Sequence, residues 1–506
     1  MDLATSAVRR LINNSLFLSL KTHRGSEMEA ENQDKPHAIM VPCPLQGHII
    51  PFVHLAIKLA SIGFTITFIN TQKLHQLITK SSPPNTTQSD IFTEARKSGL
   101  DIRYTTISDG FPLSFDRFIN SDQFMEGLML VFPAHVDDLV GKLVHQTPQI
   151  TCLIADTFFT WPSMISNKYN LVNVSFWTEP ALVFTLYYHL DLLKINGHYA
   201  CHDNREDVID YIPGVESIQP KDLPSYLQAP DTCVALRMIH KAIFEGVKEA
   251  DLVICNTVQE LEPRTISALQ EKQPFYPLGP IFLLSGFTKT AVFTSLWSQS
   301  DCTQWLQAKP PGSVLYVSFG SLAFMSREDV VEIAHGLLLS KVSFIWVFRP
   351  GILGCDDSEI LPVGFEDEIK DRGLIVPWCC QISVISHPTV GGFLTHCGWN
   401  SILETIWFNV PMLCYPLFTD QITNRKLVVD DWKIGINLCD RKPIRRDEIA
   451  EKIKCLMIGK SANDLRKNME KIKGKVEDAV SSVGSSEKNF KQFIVDLKVK
   501  ISQVAR

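Results

Sequence analysis

The sequence predicts an α/β protein in which two domains each carry a parallel β-sheet covered by helices. Its 506 residues are too many for one hydrophobic core and suggest two domains of ordinary size. From Lys35 onward, strand-like apolar runs alternate with longer helical patterns, which is typical of parallel sheets with helical crossovers. A composition of 45% hydrophobic and 21% charged residues indicates a globular protein that is neither disordered nor fibrous.

The first half contains a strand, a helix and a second strand in succession, and two more strand-like runs follow downstream. Each strand is a short apolar run, and the helix between the first two is the crossover that parallel strands require. The predicted elements are the strand 38–41, the helix 52–61 and the strands 65–69, 151–155 and 252–256.

A second half begins after a stretch with little periodicity. Residues 274–300 include Pro277, Gly279 and Pro280, and we expect the interdomain linker in this stretch, at 284–300. The domains are then expected at 35–283 and 301–484. The second domain opens with the apolar run 313–321 and continues through the predicted strands 343–347, 374–376 and 391–395.

Charge and cysteine content exclude several classes of protein. The net charge of -6 argues against a nucleic-acid partner, which would need a basic face. The 13 cysteines show no C-x-x-C spacing, so neither a disulfide framework nor a zinc site is indicated. We expect reduced thiols in a cytoplasmic protein, and no membrane span, because no run of about 18 apolar residues occurs.

Residues 1–34 are interpreted as an extension ahead of the first strand. The part 3–27 contains four basic residues, several serines and a single acid, Glu27, and so faintly resembles an organelle transit peptide. Met28 is followed by a polar leader. We therefore favour a gene-model extension or a disordered arm for residues 1–27.

Polar side chains follow two strands of the first half. His48 lies in the loop after the first strand, and Asp156 ends the strand 151–155. Ligands of parallel sheets bind beyond the carboxyl ends of the strands, so both side chains should face the same cleft. A carboxylate beside an imidazole orients it and stabilises its protonated form. The alternatives are a structural histidine and a helix N-cap.

In the second half, the segment 378–421 combines groups that suit a nucleoside diphosphate sugar. The Gly398 turn begins a helix whose free N–H groups suit a diphosphate, with His396 and the turn at Ser321 beside it. Trp378, near Gln381, offers a plane for base stacking. Glu404 can accept both hydroxyls of a ribose. Taken singly, these would be a helix cap, a core aromatic and a surface charge.

The segment 378–421 resembles the signature box of the plant family 1 UDP-glycosyltransferases and has its full length of 44 residues. Other landmarks of the family are the Pro-Leu-Gln-Gly-His-Ile-Ile-Pro turn, the strand that ends in Asp156, the Phe-Trp-Thr run at 176–178 and the late Gly-Ser-Ser at 484–486. The resemblance covers nearly everything after residue 35. The runs 47–55 and 426–432 resemble the group 86A members in particular.

The resemblance implies the GT-B fold, in which two Rossmann-like domains face each other across a cleft, an inverting mechanism and no catalytic metal or prosthetic group. The first domain would bind the acceptor, the second the UDP-sugar, and helix 485–506 would return to the first domain. His48 would be the general base and Asp156 its orienting partner. The base and ribose of the donor UDP-glucose would be bound by Trp378, Cys379 and Gln381, and the ribose also by Glu404. The diphosphate would be bound by Ser321, His396, Asn400 and Ser401. The sugar would be bound by Trp399, Asp420, Gln421 and Thr178.

The terminal Gln421 implies glucose, since relatives that use galactose have His at this position. The group that receives glucose is expected to be a hydroxyl or a carboxyl. The acceptor is expected to be a small lipophilic plant metabolite, since the loops 108–118 and 187–199 are rich in aromatic and apolar residues. Flavonoid, phenylpropanoid, terpenoid and hormone acceptors remain equally open. Monomer is the family default. Two departures from the family pattern are Trp407-Phe408-Asn409, where relatives have small residues and Gly, and Cys379-Cys380, which replaces Ala-Pro.

Two functions from other classes are weighed against the glycosyltransferase. A non-catalytic UDP-sugar-binding regulatory protein would use the same segment without needing His48 and Asp156. A nicotinamide-dependent Rossmann enzyme would carry G-x-G-x-x-G after a strand, and that pattern follows none of the predicted strands.

Overall fold

The computed structural model describes residues 35–81, 90–117, 119–147, 149–201, 206–228, 234–284, 295–353, 360–439 and 442–504. The predicted extension 1–34 and most of the predicted linker 284–300 lie outside these ranges. The described chain forms two parallel sheets flanked by helices, so the predicted fold of two Rossmann-like α/β halves is confirmed.

The first sheet has seven strands, and all except the edge strand Ile102–Ile107 are almost completely buried, as expected for apolar runs covered by helices on both faces. They are β1 His37–Val41, β2 Thr65–Thr71, β3 Ile102–Ile107, β4 Ile150–Asp156, β5 Val172–Trp177, β6 Leu252–Cys255 and β7 Phe275–Pro277. Their spatial order is β3-β2-β1-β4-β5-β6-β7. The strand order therefore reverses between β1 and β4, and a crevice opens at such a switch point.

Helices connect and cover these strands. The first, α1, spans Gln46–Ser61 and buries one apolar side, including Phe52, Leu55 and Leu59, against the sheet. The other helices of this half are α2 Gln72–Ser81, α3 Thr93–Lys97, α4 Ser121–Leu130, α5 Phe132–Gln146, α6 Pro162–Tyr169, α7 Ala181–Tyr188, α8 Leu190–Ile195, α9 Ser225–Gln228, α10 Val234–His240, α11 Pro263–Gln270 and α12 Ile281–Leu284, with 3₁₀ turns at Pro220–Asp222 and Val247–Glu249 and a π-helical turn at Lys241–Gly246.

The second sheet has six strands and repeats the same arrangement. They are β8 Val314–Ser318, β9 Ser343–Val347, β10 Gly373–Val376, β11 Val390–Thr395, β12 Met412–Cys414 and β13 Gly435–Asn437, in the spatial order β10-β9-β8-β11-β12-β13. The order reverses between β8 and β11, so the loops after these two strands flank the second crevice. The helices are α13 Thr303–Gln307, α14 Arg327–Ser340, α15 Phe365–Ile369, α16 Gln381–Ile385, α17 Trp399–Trp407, α18 Gln421–Lys426, α19 Arg446–Met457, α20 Lys460–Val480 and α21 Ser485–Val504, with a π-helical turn at Leu427–Asp431.

The last helix, α21, packs on the first half of the molecule although it follows the second. Its apolar residues Phe490, Phe493 and Leu497 are buried in the same core cluster as β1 and α1. The hydroxyl of Tyr276 donates a hydrogen bond of 2.6 Å to Asp496. Apolar burial and this hydrogen bond together fix the end of the chain to the first sheet.

Three local features differ from the sequence expectation. Helix α1 begins at Gln46 and not near Phe52, so His48 lies in the first helical turn. The stretch after 274 carries β7 and α12 before the chain leaves the described residues. Asn409, two residues after the end of α17, has a φ of 61°, a left-handed conformation that Gly adopts freely and Asn tolerates. This φ explains how Asn replaces the family's Gly.

None of the helices in the described ranges is both long and apolar enough to cross a membrane.

Candidate active site

His48, in the first turn of α1, and Asp156, the last residue of β4, meet at the switch point of the first sheet. The Nδ1 of His48 lies 2.8 Å from Oδ2 of Asp156. Asp156 is 1% exposed and also accepts hydrogen bonds from the backbone N–H groups of Cys43, at 3.2 Å, and Phe158, at 3.0 Å. Three donors therefore hold the carboxylate in place.

The hydrogen bond to Asp156 decides which nitrogen of His48 can act as a base. Because a carboxylate accepts, Nδ1 carries the proton, and Nε2 presents its lone pair. His48 lines the large cavity described below. Thr178, after β5, places Oγ1 3.1 Å from Nδ1, and the ring of Phe158 lies 4.7 Å from the imidazole. The imidazole thus contacts Asp156, Thr178 and Phe158.

A cavity of about 740 Å³ lies between the two halves and is lined by both. Eight of the predicted site residues line it, namely His48, Thr178, Ser321, His396, Trp399, Asn400, Asp420 and Gln421. The other six do not line it: Asp156 lies behind His48, and Trp378, Cys379, Gln381, Ser401 and Glu404 lie outside the cavity lining on the second half. The predicted residues therefore divide into a group at the cavity and a group beside it.

The N-terminus of α17 faces this cavity. Gly398 is its N-cap, no side chain caps the helix, and the first turn contains no acidic residue. The free N–H groups and the positive end of the helix dipole therefore favour an anion. Ser321 lies near this terminus in the turn after β8, and both line the cavity.

His396 lies between two glycine backbones at this end of the cavity. A Cβ added at Gly320 would come within 2.4 Å of its Nε2, and one added at Gly398 within 2.6 Å. Gly320 also has a φ of 74°. Burial lowers the pKa of His396 to about 4, so the ring is neutral near pH 7. A hydrogen bond with the backbone of Ser318 raises this pKa, but burial has the larger effect.

Asn400 and Trp399 connect α17 to the first half. Asn400 Nδ2 donates to the Gly47 carbonyl at 2.7 Å, and its Oδ1 accepts from Asn256 at 3.2 Å. The indole N–H of Trp399 donates to the Asn256 carbonyl at 2.7 Å. Pro51 lies inside α1, and it has no N–H with which to bond the carbonyl four residues earlier. That carbonyl belongs to Gly47, and because Pro51 cannot donate to it, it is available to accept from Asn400.

The predicted ribose-binding groups are already bonded to one another. Gln381 Nε2 donates to Oε2 of Glu404 at 2.8 Å and to the hydroxyl of Ser401 at 2.9 Å. Burial raises the pKa of Glu404 to about 7, although the bond from Gln381 acts in the opposite direction. A carboxyl with this pKa is only partly ionised at neutral pH, so donors from a ligand would promote its ionisation.

Trp378 follows β10 by two residues and is half-buried. Its ring packs against Trp297, with centroids 4.6 Å apart. The neighbouring Cys379 forms a backbone bridge with Ser300, the residue at which the chain enters the second half. The proposed base-stacking plane is therefore covered in part by an aromatic residue that the sequence did not reveal as part of the site.

Asp420 and Gln421 begin α18 at the cavity. Oε1 of Gln421 accepts from the backbone N–H groups of Leu417, at 3.0 Å, and Phe418, at 3.2 Å, which leaves its amide N–H₂ as the donor for a ligand. Burial raises the pKa of Asp420 above its usual value. The preceding loop is held by the first half, because the N–H of Thr419 donates to the Ser225 hydroxyl at 2.7 Å.

Three residues of the site were missed by sequence reasoning. Glu179 lines the cavity directly after Thr178, Asn256 joins the halves at the end of β6, and Trp297 packs on Trp378. Glu179 and Asn256 follow strands as His48 and Asp156 do, and that position is the signal that could have revealed them.

Within the described residues, no group of three or more His, Cys, Asp or Glu side chains is placed to hold a metal ion.

Comparison with known proteins relates this chain to one family. A family model described as UDP-glucoronosyl and UDP-glucosyl transferase matches residues 297–468. UDP-glycosyltransferase 86A1 of Arabidopsis thaliana is 60% identical over 481 residues, which cover 94% of this chain and 97% of that protein. The 7-deoxyloganetin glucosyltransferase of Gardenia jasminoides is 35% identical over 91% of this chain and 97% of its own length.

A solved structure has the same architecture. The crystal structure of UDP-glucose: anthocyanidin 3-O-glucosyltransferase in complex with UDP superimposes with a TM-score of 0.77 at 26% identity. The match covers 92% of this chain and all of that one, 100%. The similarity therefore extends over both sheets and the cavity between them.

Proposed function

The chain belongs to the plant family 1 UDP-glycosyltransferases and has their GT-B fold, and from this premise we propose that it transfers glucose from UDP-glucose to a hydroxyl of a small lipophilic plant metabolite. Membership of this family makes the chain a glycosyltransferase. What we propose in addition is the identity of the donor, the class of acceptor and the role of each site residue. The observation that carries it is the His48–Asp156 pair at 2.8 Å in a cavity lined by both halves.

His48 is the general base in this mechanism. Its Nε2 takes the proton of the acceptor hydroxyl, and the oxygen attacks the anomeric carbon of glucose from the face opposite UDP. The bond from that carbon to the diphosphate oxygen breaks, and UDP leaves with the electron pair. Asp156 stabilises the imidazolium that forms, since its carboxylate already accepts from Nδ1 at 2.8 Å. One inverted glycosidic bond results.

The diphosphate is bound at the N-terminus of α17. Ser321, Asn400 and Ser401 offer hydroxyl and amide donors there, and the uncapped helix terminus offers backbone N–H groups. His396 is neutral, so it contributes a hydrogen-bond donor and not a charge. Donors fixed where negative charge develops are usually the largest single contribution to such transfers.

The uridine is bound beside the cavity, on the second half. Trp378 stacks on the base, with the backbone of Cys379 and the side chain of Gln381 completing the contact. Glu404 accepts the ribose hydroxyls. The support for this assignment is that Gln381 bonds Glu404 at 2.8 Å, so base and ribose recognition are built as one unit.

The sugar lies between Thr178 of the first half and Trp399, Asp420 and Gln421 of the second. Two observations support glucose as the sugar. The Gln421 amide oxygen is occupied by backbone N–H groups, so its N–H₂ faces the ligand as a donor. The related proteins are named as a 7-deoxyloganetin glucosyltransferase and a UDP-glucose: anthocyanidin 3-O-glucosyltransferase.

The acceptor occupies the part of the cavity formed by the first half. Its size and lining suit a lipophilic molecule of low molecular weight, because aromatic and aliphatic side chains dominate. These include Leu45, Leu74, Phe115, Phe124, Met125, Phe158, Tyr187 and Ile239. Flavonoids and the other plant metabolite classes considered above all fit this chemistry.

The remaining assignments follow the same premise. Residues 35–283 form the acceptor domain, 301–484 the donor domain, 284–300 the linker and 485–506 the returning helix. The enzyme works in the cytoplasm as a monomer, without metal or prosthetic group. A regulatory protein that only binds UDP-sugar is not favoured, because such a protein has no need of a buried carboxylate that orients His48.

The test is a transfer assay with the full chain. Protein is incubated with UDP-glucose and pooled plant phenolics and terpenoids, and acceptors that gain one hexose are sought by mass spectrometry. We expect a hexosylated product with the wild type and none with His48→Ala, whereas UDP binding is the same in both. Product formation that persists in His48→Ala would overturn the mechanism. UDP binding without any product would favour the regulatory protein.

A further inference from the structure

The carboxyl of Glu179 faces the cavity next to the proposed catalytic base. Glu179 follows Thr178, whose Oγ1 lies 3.1 Å from Nδ1 of His48, and it lines the cavity. No hydrogen bond or ion pair links its carboxyl to any other residue in the described ranges. The side chain is partly exposed, and a carboxyl placed in this way has no visible role in the fold.

Capping of the next helix does not explain Glu179. Helix α7 begins two residues later, at Ala181, where a carboxylate could bind the free N–H groups. That position is already filled by Glu262, which accepts from the N–H of Ala181 at 3.0 Å and from that of Leu182 at 2.7 Å. The Glu179 side chain is therefore left for a ligand.

The charges around Glu179 determine what it can bind. Burial, and the nearby carboxylates of Asp420 and Asp156, raise the pKa of Glu179 well above its usual value. His48 is the basic side chain on the same side of the cavity. Lys73 also lines the cavity, but it donates to the Leu113 carbonyl at 2.6 Å.

Arg117, the second cationic side chain that lines the cavity, is also paired with another residue. Arg117 forms a buried ion pair with Asp109 at 2.6 Å. An acceptor that carried a carboxylate near the reacting atom would therefore lie close to the carboxyl groups of Glu179, Asp156 and Asp420. The lysine and the arginine that line the cavity in the described part of the chain both bond other residues. The burial and the two carboxylates that raise the pKa of Glu179 also disfavour a negative charge on a ligand placed beside it.

We propose that Glu179 determines acceptor specificity by hydrogen bonding a second hydroxyl or carbonyl oxygen close to the hydroxyl that receives glucose, and that the surroundings of Glu179 exclude acceptors with a carboxylate there. This inference rests on the proposed function and narrows its acceptor class. A carboxylic acid both donates and accepts, so it matches either oxygen function. The preferred substrates are lipophilic diols and hydroxyketones, and the product is a glycoside and not a sugar ester.

The test uses three probes of one size, 4-tert-butylphenol, 4-tert-butylcatechol and 4-tert-butylbenzoate. Binding to the UDP-saturated protein is measured by calorimetry, and transfer from UDP-glucose is measured separately. Four proteins are compared: wild type, Glu179→Gln, Glu179→Leu, and the surface control Glu216→Gln, whose side chain is 76% exposed. Unchanged UDP affinity shows that each variant is folded.

We expect the wild type to bind the catechol about 5- to 10-fold more tightly than the phenol, the ratio that one buried hydrogen bond supplies. The benzoate should bind more weakly than either. Glu179→Gln should retain the preference because an amide also donates and accepts. Glu179→Leu should abolish it while still binding the phenol, and Glu216→Gln should match the wild type.

Equal affinity of the wild type for phenol and catechol, a preference unchanged in Glu179→Leu, or tight binding of the benzoate would each overturn the inference. The two measurements also separate it from the proposed function. If the catechol preference depends on Glu179 but no protein transfers hexose, the transferase proposal fails and the assignment of Glu179 stands.

Discussion

Replacement of Asp156 by asparagine removes one charge beside His48 and leaves the size of the side chain unchanged. In the wild type, Oδ2 accepts from His48 at 2.8 Å and from the Cys43 N–H at 3.2 Å, and Oδ1 accepts from the Phe158 N–H at 3.0 Å. An amide has one oxygen, so its N–H₂ must face a backbone N–H in either orientation. If the amide oxygen takes the position of Oδ2, the hydrogen bonds from His48 and from the Cys43 N–H are kept, and His48 keeps its tautomer.

The loss of rate then comes mainly from the imidazolium that forms when His48 takes the acceptor proton. The contact of 2.8 Å between Nδ1 and Oδ2 separates the two charge centres by about 4 Å, and two unit charges at that distance interact by about 4 kcal/mol at an effective dielectric constant of about 20. At 1.36 kcal/mol per factor of ten, Asp156→Asn should lower kcat about 10³-fold.

Steady-state kinetics with an acceptor from the hexose screen measures this change. UDP affinity by calorimetry should remain within about twofold, because Asp156 accepts its hydrogen bonds from His48, Cys43 and Phe158 and from no residue of α17. Asp138→Asn is the matched control, since this carboxylate is 66% exposed on a surface helix, and its kcat should be unaltered. A kcat of Asp156→Asn within tenfold of the wild type would refute the role given to the carboxylate.

Three further results are expected. Because the pKa of Glu404 is about 7 in the folded protein against 4.5 for the ordinary group, the wild type loses stability as pH rises from about 4.5 to 7. Between pH 5 and pH 8, the unfolding free energy of Glu404→Gln should therefore rise relative to that of the wild type by up to about 3 kcal/mol, as measured by thermal melts at both pH values. UDP affinity, measured by calorimetry, should fall about tenfold. A difference in unfolding free energy between variant and wild type that is the same at both pH values would contradict the raised pKa. Asn409→Gly should raise unfolding free energy by about 0.5–1 kcal/mol in denaturant melts, because Gly adopts the φ of 61° freely and the buried Asn409 Oδ1 has no partner among the described residues. Activity should change less than twofold in EDTA; a loss restored by magnesium would contradict a metal-free mechanism.

Strand positions and the meeting of His48 with Asp156 could be predicted from the sequence, because both follow from local patterns and one topological rule. Apolar runs identify the buried strands, and the carboxyl ends of parallel strands meet at one edge. The early start of α1 could not be predicted in this way, since Pro51 suggested a break. In the structure, the carbonyl that Pro51 leaves unbonded is used by Asn400 of the other half.

Contacts between the halves were beyond prediction for a physical reason. The pairing of Trp399 with Asn256 and of Trp378 with Trp297 depends on how two separately folded sheets approach each other. No periodicity within one segment encodes that approach. Glu179 was missed for a related reason, because a glutamate just before a helix is ordinarily a cap, and only the position of Glu262 shows that this cap is already supplied.

The anomeric configuration of the product tests most directly whether His48 activates the acceptor for a single displacement. The hexosylated acceptor made from UDP-α-D-glucose by the wild type is purified, and its anomeric proton is examined by NMR. Attack from the face opposite UDP inverts the anomeric centre, so the product should be the β-glucoside alone. An α-glucoside would show that the configuration is retained and would contradict a mechanism in which the base of the His48–Asp156 pair drives one in-line attack.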